Sequence, residues 1–181
     1  MRGRFRAAPL PTEGVVALYT KEHSAIKEVL PVRVECIPEE LKIRPQWVVW
    51  KAVGERPEKI PYSAKSGRKA STTDLLSWSS FEEAHEALRF GRQYSGLGFV
   101  FSSGDPFAGI DIDGCVDPRT GEVAVWAMEI VRYFDSYTEL SASGTGIHVI
   151  VKGDGPNRRK DNVEVYSSKR FFALTGHLLE V

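Results

Sequence analysis

The sequence predicts an α+β domain with a largely antiparallel or mixed sheet. Three observations carry that class. Short runs of β-branched and aromatic residues recur along the chain and fit strands. Two segments show helical spacing of apolar residues with start or stop signals. Strand candidates outnumber helix candidates, with no internal repeat and no low-complexity tract between them.

Residues 1–36 read as an N-terminal arm or small helical appendage. Val15 to Tyr19 and Ala25 to Leu30 are short element candidates, punctuated by Pro9, Pro11 and Pro31. The compact domain is expected over 37–181, opening at Ile37-Pro38-Glu39-Glu40. Trp47-Val48-Val49-Trp50 reads as a buried strand, and Lys59-Ile60-Pro61-Tyr62 as a partner kept at an edge by its proline. Lys65 to Thr73 is a loop of Ser, Gly, Lys and Thr. Ser80-Phe81-Glu82-Glu83 spells a capping box, Phe81, Ala84 and Leu88 follow at helical spacing, and Gly91 supplies a stop. Gly98 to Phe101 and Phe107 to Asp113 read as two strands joined by a Ser-Ser-Gly-Asp-Pro turn. Glu122 to Phe134 is the second expected helix, with Val123, Ala127, Ile130, Val131 and Phe134 on one face. Glu139 to Ser141, Ile147 to Val151, Val163 to Tyr166 and Phe171 to Thr175 complete the strands.

Composition excludes several classes. At 181 residues and 42% hydrophobic, the chain suits one folded domain rather than a disordered or membrane protein. No apolar run approaches the ~18–20 residues of a spanning helix. Pro9 and Pro11 fall where a signal peptide would carry its apolar stretch. Two cysteines, Cys36 and Cys115, make neither a disulfide framework nor a four-thiolate zinc site. The expectation is a soluble, cytoplasmic protein. Equal numbers of basic and acidic residues, 24 each, first speak against nucleic acid. By segment the balance differs. Residues 105–139 carry eight acids and two bases, whereas 152–170 and 55–69 each carry a net +3. An acidic centre suits cations and basic flanks suit phosphates.

Three local patterns carry chemistry. In Ile110-Asp111-Ile112-Asp113, strand alternation sends both isoleucines to the core and both carboxylates to the other face. Two like charges at that spacing repel, and a hard divalent cation between them relieves the cost. The same spelling fits an exposed strand edge running into an Asp-Gly turn. Ser141-Ala142-Ser143-Gly144-Thr145-Gly146-Ile147-His148 offers backbone amides and hydroxyls to a phosphate, or is only a hairpin turn. His148 falls on the strand face opposite Ile147 and Val149, so it need not be buried with them. Glu164, between Val163 and Val165, is an acid on the face opposite two apolar residues.

Taken together and in this order, these patterns resemble the archaeo-eukaryotic primase superfamily. The nearest likeness is the bifunctional primase–polymerase domain of plasmid, phage and mobile-element replication proteins. Asp111 and Asp113 match its paired-acid motif, Ser143, Gly144, Gly146 and His148 its Ser-Gly-x-Gly-x-His motif, and Glu164 its later acid. Pro45 to Trp50, Lys59 to Tyr62, Ala70 to Asp74 and Arg170 to His177 extend the likeness to about 37–177. The resemblance implies a palm related to RNA-recognition folds beside an N-terminal strand-and-helix module. It implies template-directed nucleotidyl transfer in DNA replication or repair, with a DNA template and primer and dNTP or NTP as substrates. Asp111, Asp113 and Glu164 would hold two magnesium or manganese ions. Ser143, Gly144, Gly146, His148 and Arg170 would bind the nucleotide. Lys59, Arg68 and Lys69 would reach phosphates, and Arg158-Arg159-Lys160 is either a solvated loop or a contact to the nucleic-acid backbone. Family members often continue into a helical linker and a helicase, so a fused or separate replicative helicase is the expected partner. With the chain ending at Val181, polymerisation is expected ahead of priming. A nucleotide-gripping or single-strand-binding module without turnover and a metal-dependent phosphodiesterase are the competing readings. His23, His85 and His177 carry no role from the sequence.

Overall fold

Two antiparallel sheets, rather than one, organise the described residues. The computed structural model describes residues 29–54, 58–91 and 93–179. Its elements are α1 (Glu39–Lys42), β1 (Trp47–Val53), β2 (Glu58–Tyr62), α2 (Phe81–Phe90), β3 (Gly96–Phe101), β4 (Phe107–Ile112), α3 (Val125–Phe134), β5 (Tyr137–Leu140), β6 (Ile147–Lys152), β7 (Arg158–Lys160), β8 (Val163–Tyr166) and β9 (Arg170–Leu174). The first sheet runs β2-β1-β3-β9 and the second β5-β6-β4-β8-β7. Every ladder is antiparallel, so the class is α+β as expected.

The first sheet forms where its residues demanded burial. Trp47 to Trp50 are all buried, and Pro61 sits in the edge strand β2, where a missing N–H is tolerated. Helix α2 starts on its capping box: Ser80 Oγ accepts from the Glu83 amide while Glu83 accepts from the Ser80 amide. It lays Phe81 and Ala84 on this sheet, with Trp47 edge-on to Phe81 at 5.0 Å and to Phe99 at 5.4 Å. Each such buried aromatic contributes about 1.5–3 kcal/mol. The second sheet has its own core, where Ile110, Ile112, Ile147 and Val149 meet Ala127 and Val131 of α3.

The sheets touch through rings. Phe101 and Phe172 from the first sheet lie edge to face at 5.0 Å, close on β4. A Cβ at Gly109 would overlap both rings, so only glycine lets the sheets approach there.

The two strands expected on either side of Ser102 to Pro106 are present, and this turn carries the chain from one sheet to the other rather than pairing them. Asp105 stabilises that switch by accepting from the Ser102 amide at 2.9 Å, the Phe107 amide at 2.7 Å and Gln46 Nε2 at 2.6 Å. Two expectations need correction. The second helix begins at Val125 rather than Glu122, since Val123 is drawn into a bridge with Val116. Arg158 to Lys160 form the exposed edge strand β7 rather than a loop. Of the expected N-terminal appendage, 1–28 lie outside the described residues. Residues 29–36 lie on the domain, with the Leu30 amide donating to Ala142 O at 3.0 Å and Arg33 to Thr175 O at 2.7 Å. Among the described residues no helix is long and apolar enough to cross a membrane.

Candidate active site

Strand register assembles the site. Asp111 on β4 stands opposite His148 on β6 and, on its other side, opposite Glu164 on β8. His148 stands opposite Glu139 on β5, and Glu164 opposite Arg159 on β7. The second sheet therefore carries one transverse row, Glu139–His148–Asp111–Glu164–Arg159, on the face turned away from α3. Neighbours in such a row are about 4.5–5.5 Å apart at Cβ, close enough for charges to interact.

The members of the row differ in how far their polar atoms are satisfied. Glu139 is completely buried, at 0% exposure, and accepts from Tyr137 Oη at 2.6 Å, the Gly176 amide at 2.6 Å and the Thr175 amide at 3.0 Å. Its Oε1 lies 3.1 Å from His148 Nδ1. The His148 ring stacks on Phe172 at 4.7 Å, so the face opposite Ile147 and Val149 is covered by β9, and the histidine is buried at 2% exposure. Its Nε2 lies 3.8 Å from Asp111 Oδ1. That oxygen is buried and has no hydrogen-bond partner. Glu164 accepts from Tyr166 Oη at 2.7 Å and pairs with Arg159 Nε at 3.0 Å and Arg170 Nη2 at 3.6 Å.

Asp113 lies one residue past β4, its amide donating to Asn162 O at 2.8 Å. Burial, then the charges of Asp111 and Glu164, raise its carboxyl above the ordinary value, against the pull of Lys59 and His148. The Ser143–Gly146 turn abuts this end of the strand. Gly144 takes φ 68°, and a Cβ at Gly146 would press on Ile112 O. Ser143 Oγ is chained to Ser141 Oγ at 3.2 Å and to Thr145 Oγ1 at 2.9 Å.

A cleft of about 660 Å3 opens over Asp111 and His148. Its opposite wall is basic and hydroxylic: Lys59 of β2, Ser71, Thr72, Lys169 and Arg170. Lys169 holds a left-handed φ of 58°, and its carbonyl accepts from Thr72 Oγ1 at 3.1 Å. The Lys59 ammonium is lowered by loss of hydration, while Asp111 and Asp113 hold it up. An orphaned carboxylate oxygen, a second carboxylate with a raised pKa and hard oxygen donors fit a divalent cation. Glu164, turned toward its arginines, does not complete a set, and among the described residues no three acids, histidines or cysteines are gathered as a metal cage.

No family model matches the chain. Over 144 residues it is 41% identical to the DNA primase-polymerase of Nitratiruptor phage NrS-1, a match covering 75% of this chain and 20% of that protein. This chain is related to a phage DNA primase-polymerase. It spans 20% of that relative's length.

Other sequence candidates stand apart from the row. Arg158 and Lys160 pair with Val165 and Val163, so alternation turns them to the face opposite Arg159. Arg68 and Lys69 are exposed on the loop after β2, outside the cleft lining. His85 stacks on Phe81 at 5.7 Å, and His177 Nε2 lies 2.8 Å from Pro31 O. Burial pushes the Cys115 thiol up to about 11, so it is a poor nucleophile. His23 lies outside the described residues. Glu139 is the member of the row that its sequence context does not reveal. Its signal is a lone acid on a strand whose neighbours are mostly buried, and its partners beyond its own strand come from two other segments, β6 and the stretch after β9.

Proposed function

We propose that the chain is a catalytic core for template-directed DNA synthesis, joining dNTP or NTP to a 3′-hydroxyl by nucleotidyl transfer. The observation that carries this reading is Asp111, which has a buried oxygen without a hydrogen-bond partner and lines a cleft of nucleotide size together with Lys59, Lys169 and Arg170. The relative's name, DNA primase-polymerase, points the same way. Asp111 and Asp113 are the residues that would hold magnesium or manganese, two ions once Glu164 joins them on leaving Arg159 and Arg170. Such ions activate the attacking hydroxyl and neutralise the triphosphate when bound. Lys59 and Arg170 supply fixed positive charge for the phosphates, Arg170 held by the Tyr166 ring at 4.8 Å and by Glu164. His148, clamped between Phe172 and Glu139, directs Nε2 toward Asp111. The Ser143–Gly146 turn borders the Asp113 end, where its backbone would meet the nucleotide. A DNA template and primer, and a fused or separate replicative helicase, are the partners this reading calls for.

Primer extension on a DNA template with magnesium or manganese tests it. Incorporation lost with Asp111→Ala plus Asp113→Ala supports the reading, and incorporation that survives overturns it. One observation favours a second reading, a nucleotide-gripping module without turnover: Glu164 is engaged by Arg159, Arg170 and Tyr166. Tight dNTP binding with no incorporation on any primed template would decide for that alternative.

A further inference from the structure

A fully buried carboxylate needs a reason, since burial of an acid is unfavourable unless hydrogen bonds satisfy it. At Glu139 the bonds divide by oxygen. Oε2 accepts from Tyr137 Oη and the Gly176 and Thr175 amides, tying β5 to the segment leaving β9. Oε1 faces His148 Nδ1 and shares the Thr175 amide at 3.1 Å. Because Glu139 already accepts from a hydroxyl and two amides, a proton on Nδ1 donating to Oε1 is the arrangement that continues this pattern. Stacking on Phe172 fixes the ring plane, and Nε2 is then the nitrogen presented to Asp111 and the cleft.

We infer, resting on the nucleotidyl-transfer reading above, that Glu139 is a positioning residue for nucleotide binding, setting the tautomer and heading of His148. The arrangement follows a general device in which a buried acid behind an imidazole determines which ring nitrogen is available in front. Glu139 never touches the substrate. Its effect passes through His148.

Glu139→Gln separates this role from mere support. Its amide oxygen can keep the Tyr137, Thr175 and Gly176 donors, while its NH2 donates to Nδ1 and drives the ring proton to Nε2. Nitrogen-15 NMR of the imidazole reads the tautomer on the metal-free protein, with no turnover required. The wild type is expected to carry its proton on Nδ1 and Glu139→Gln on Nε2, with an unchanged amide fingerprint. Dissociation constants for dTTP in calcium are expected to rise about tenfold in the variant. The same tautomer in both proteins overturns the inference, as does an unchanged dTTP affinity after a switched tautomer. A wild type that binds no dTTP at all, yet shows the tautomer switch, would instead sink the polymerase reading.

Discussion

The two faces of the second sheet are made by the same strands and have opposite chemistry. Toward α3, Ile110, Ile112, Ile147 and Val149 are buried among aliphatic neighbours. Toward the cleft, the intervening positions are Asp111, His148 and, on the flanking strands, Glu139 and Glu164. The apolar face is uniformly satisfied by packing. The polar face is graded: Glu139 is saturated with donors, Glu164 holds a tyrosine and two arginines, and Asp111 keeps an orphaned oxygen. Stability is concentrated on one face and unmet interaction on the other, at the centre of the sheet.

That contrast is open to direct attack. Asp111→Ala plus Asp113→Ala should lower primer extension by roughly 10³-fold while the thermal midpoint holds or rises. A fall in midpoint matching that of a core substitution would erase the distinction between faces. Ile112→Ala, on the apolar face, should cost about 2–5 kcal/mol in urea unfolding. Magnesium at ten times its dissociation constant should add about 1.4 kcal/mol to the stability of the wild type and nothing to that of the double variant. Equal gains in both proteins would place the ion away from these acids. The smallest effect is a pH dependence. The Asp113 carboxyl is held above its ordinary value of 3.8 by burial, Asp111 and Glu164. The folded chain binds that proton more tightly than the unfolded chain does. The stability it contributes is thus present at acid pH and lost as pH rises through the raised value. Asp113→Asn should flatten that decline, and identical pH slopes for the two proteins would remove Asp113 as its source.

What the sequence disclosed follows the range of the interactions involved. The capping box at Ser80 and Glu83 and the alternation of Ile110 to Ile112 are local, and both stand in the structure as read, with Asp113 one residue beyond the strand. The exposed strand β7 has no apolar residue to betray it, because an edge strand of arginines and lysine spells the same as a loop. The sheet switch at Asp105 was illegible for a different reason. A turn's residues fix its local shape but not whether the strands leaving it pair. His148 was placed on the correct face by alternation, yet its burial depends on Phe172, which arrives from the other sheet. Glu139 acquires meaning only through β6 and the segment after β9.

The transverse row also gives the site a reading frame. Its five members come from five strands and meet only because the ladders are in register. Deleting a single residue between Phe107 and Asp111 would shift β4 by one position and turn carboxylates toward α3 and isoleucines toward the cleft. Changes of length are therefore confined to the turns between strands, whereas within β4, β6 and β8 the chain can vary in spelling but not in count.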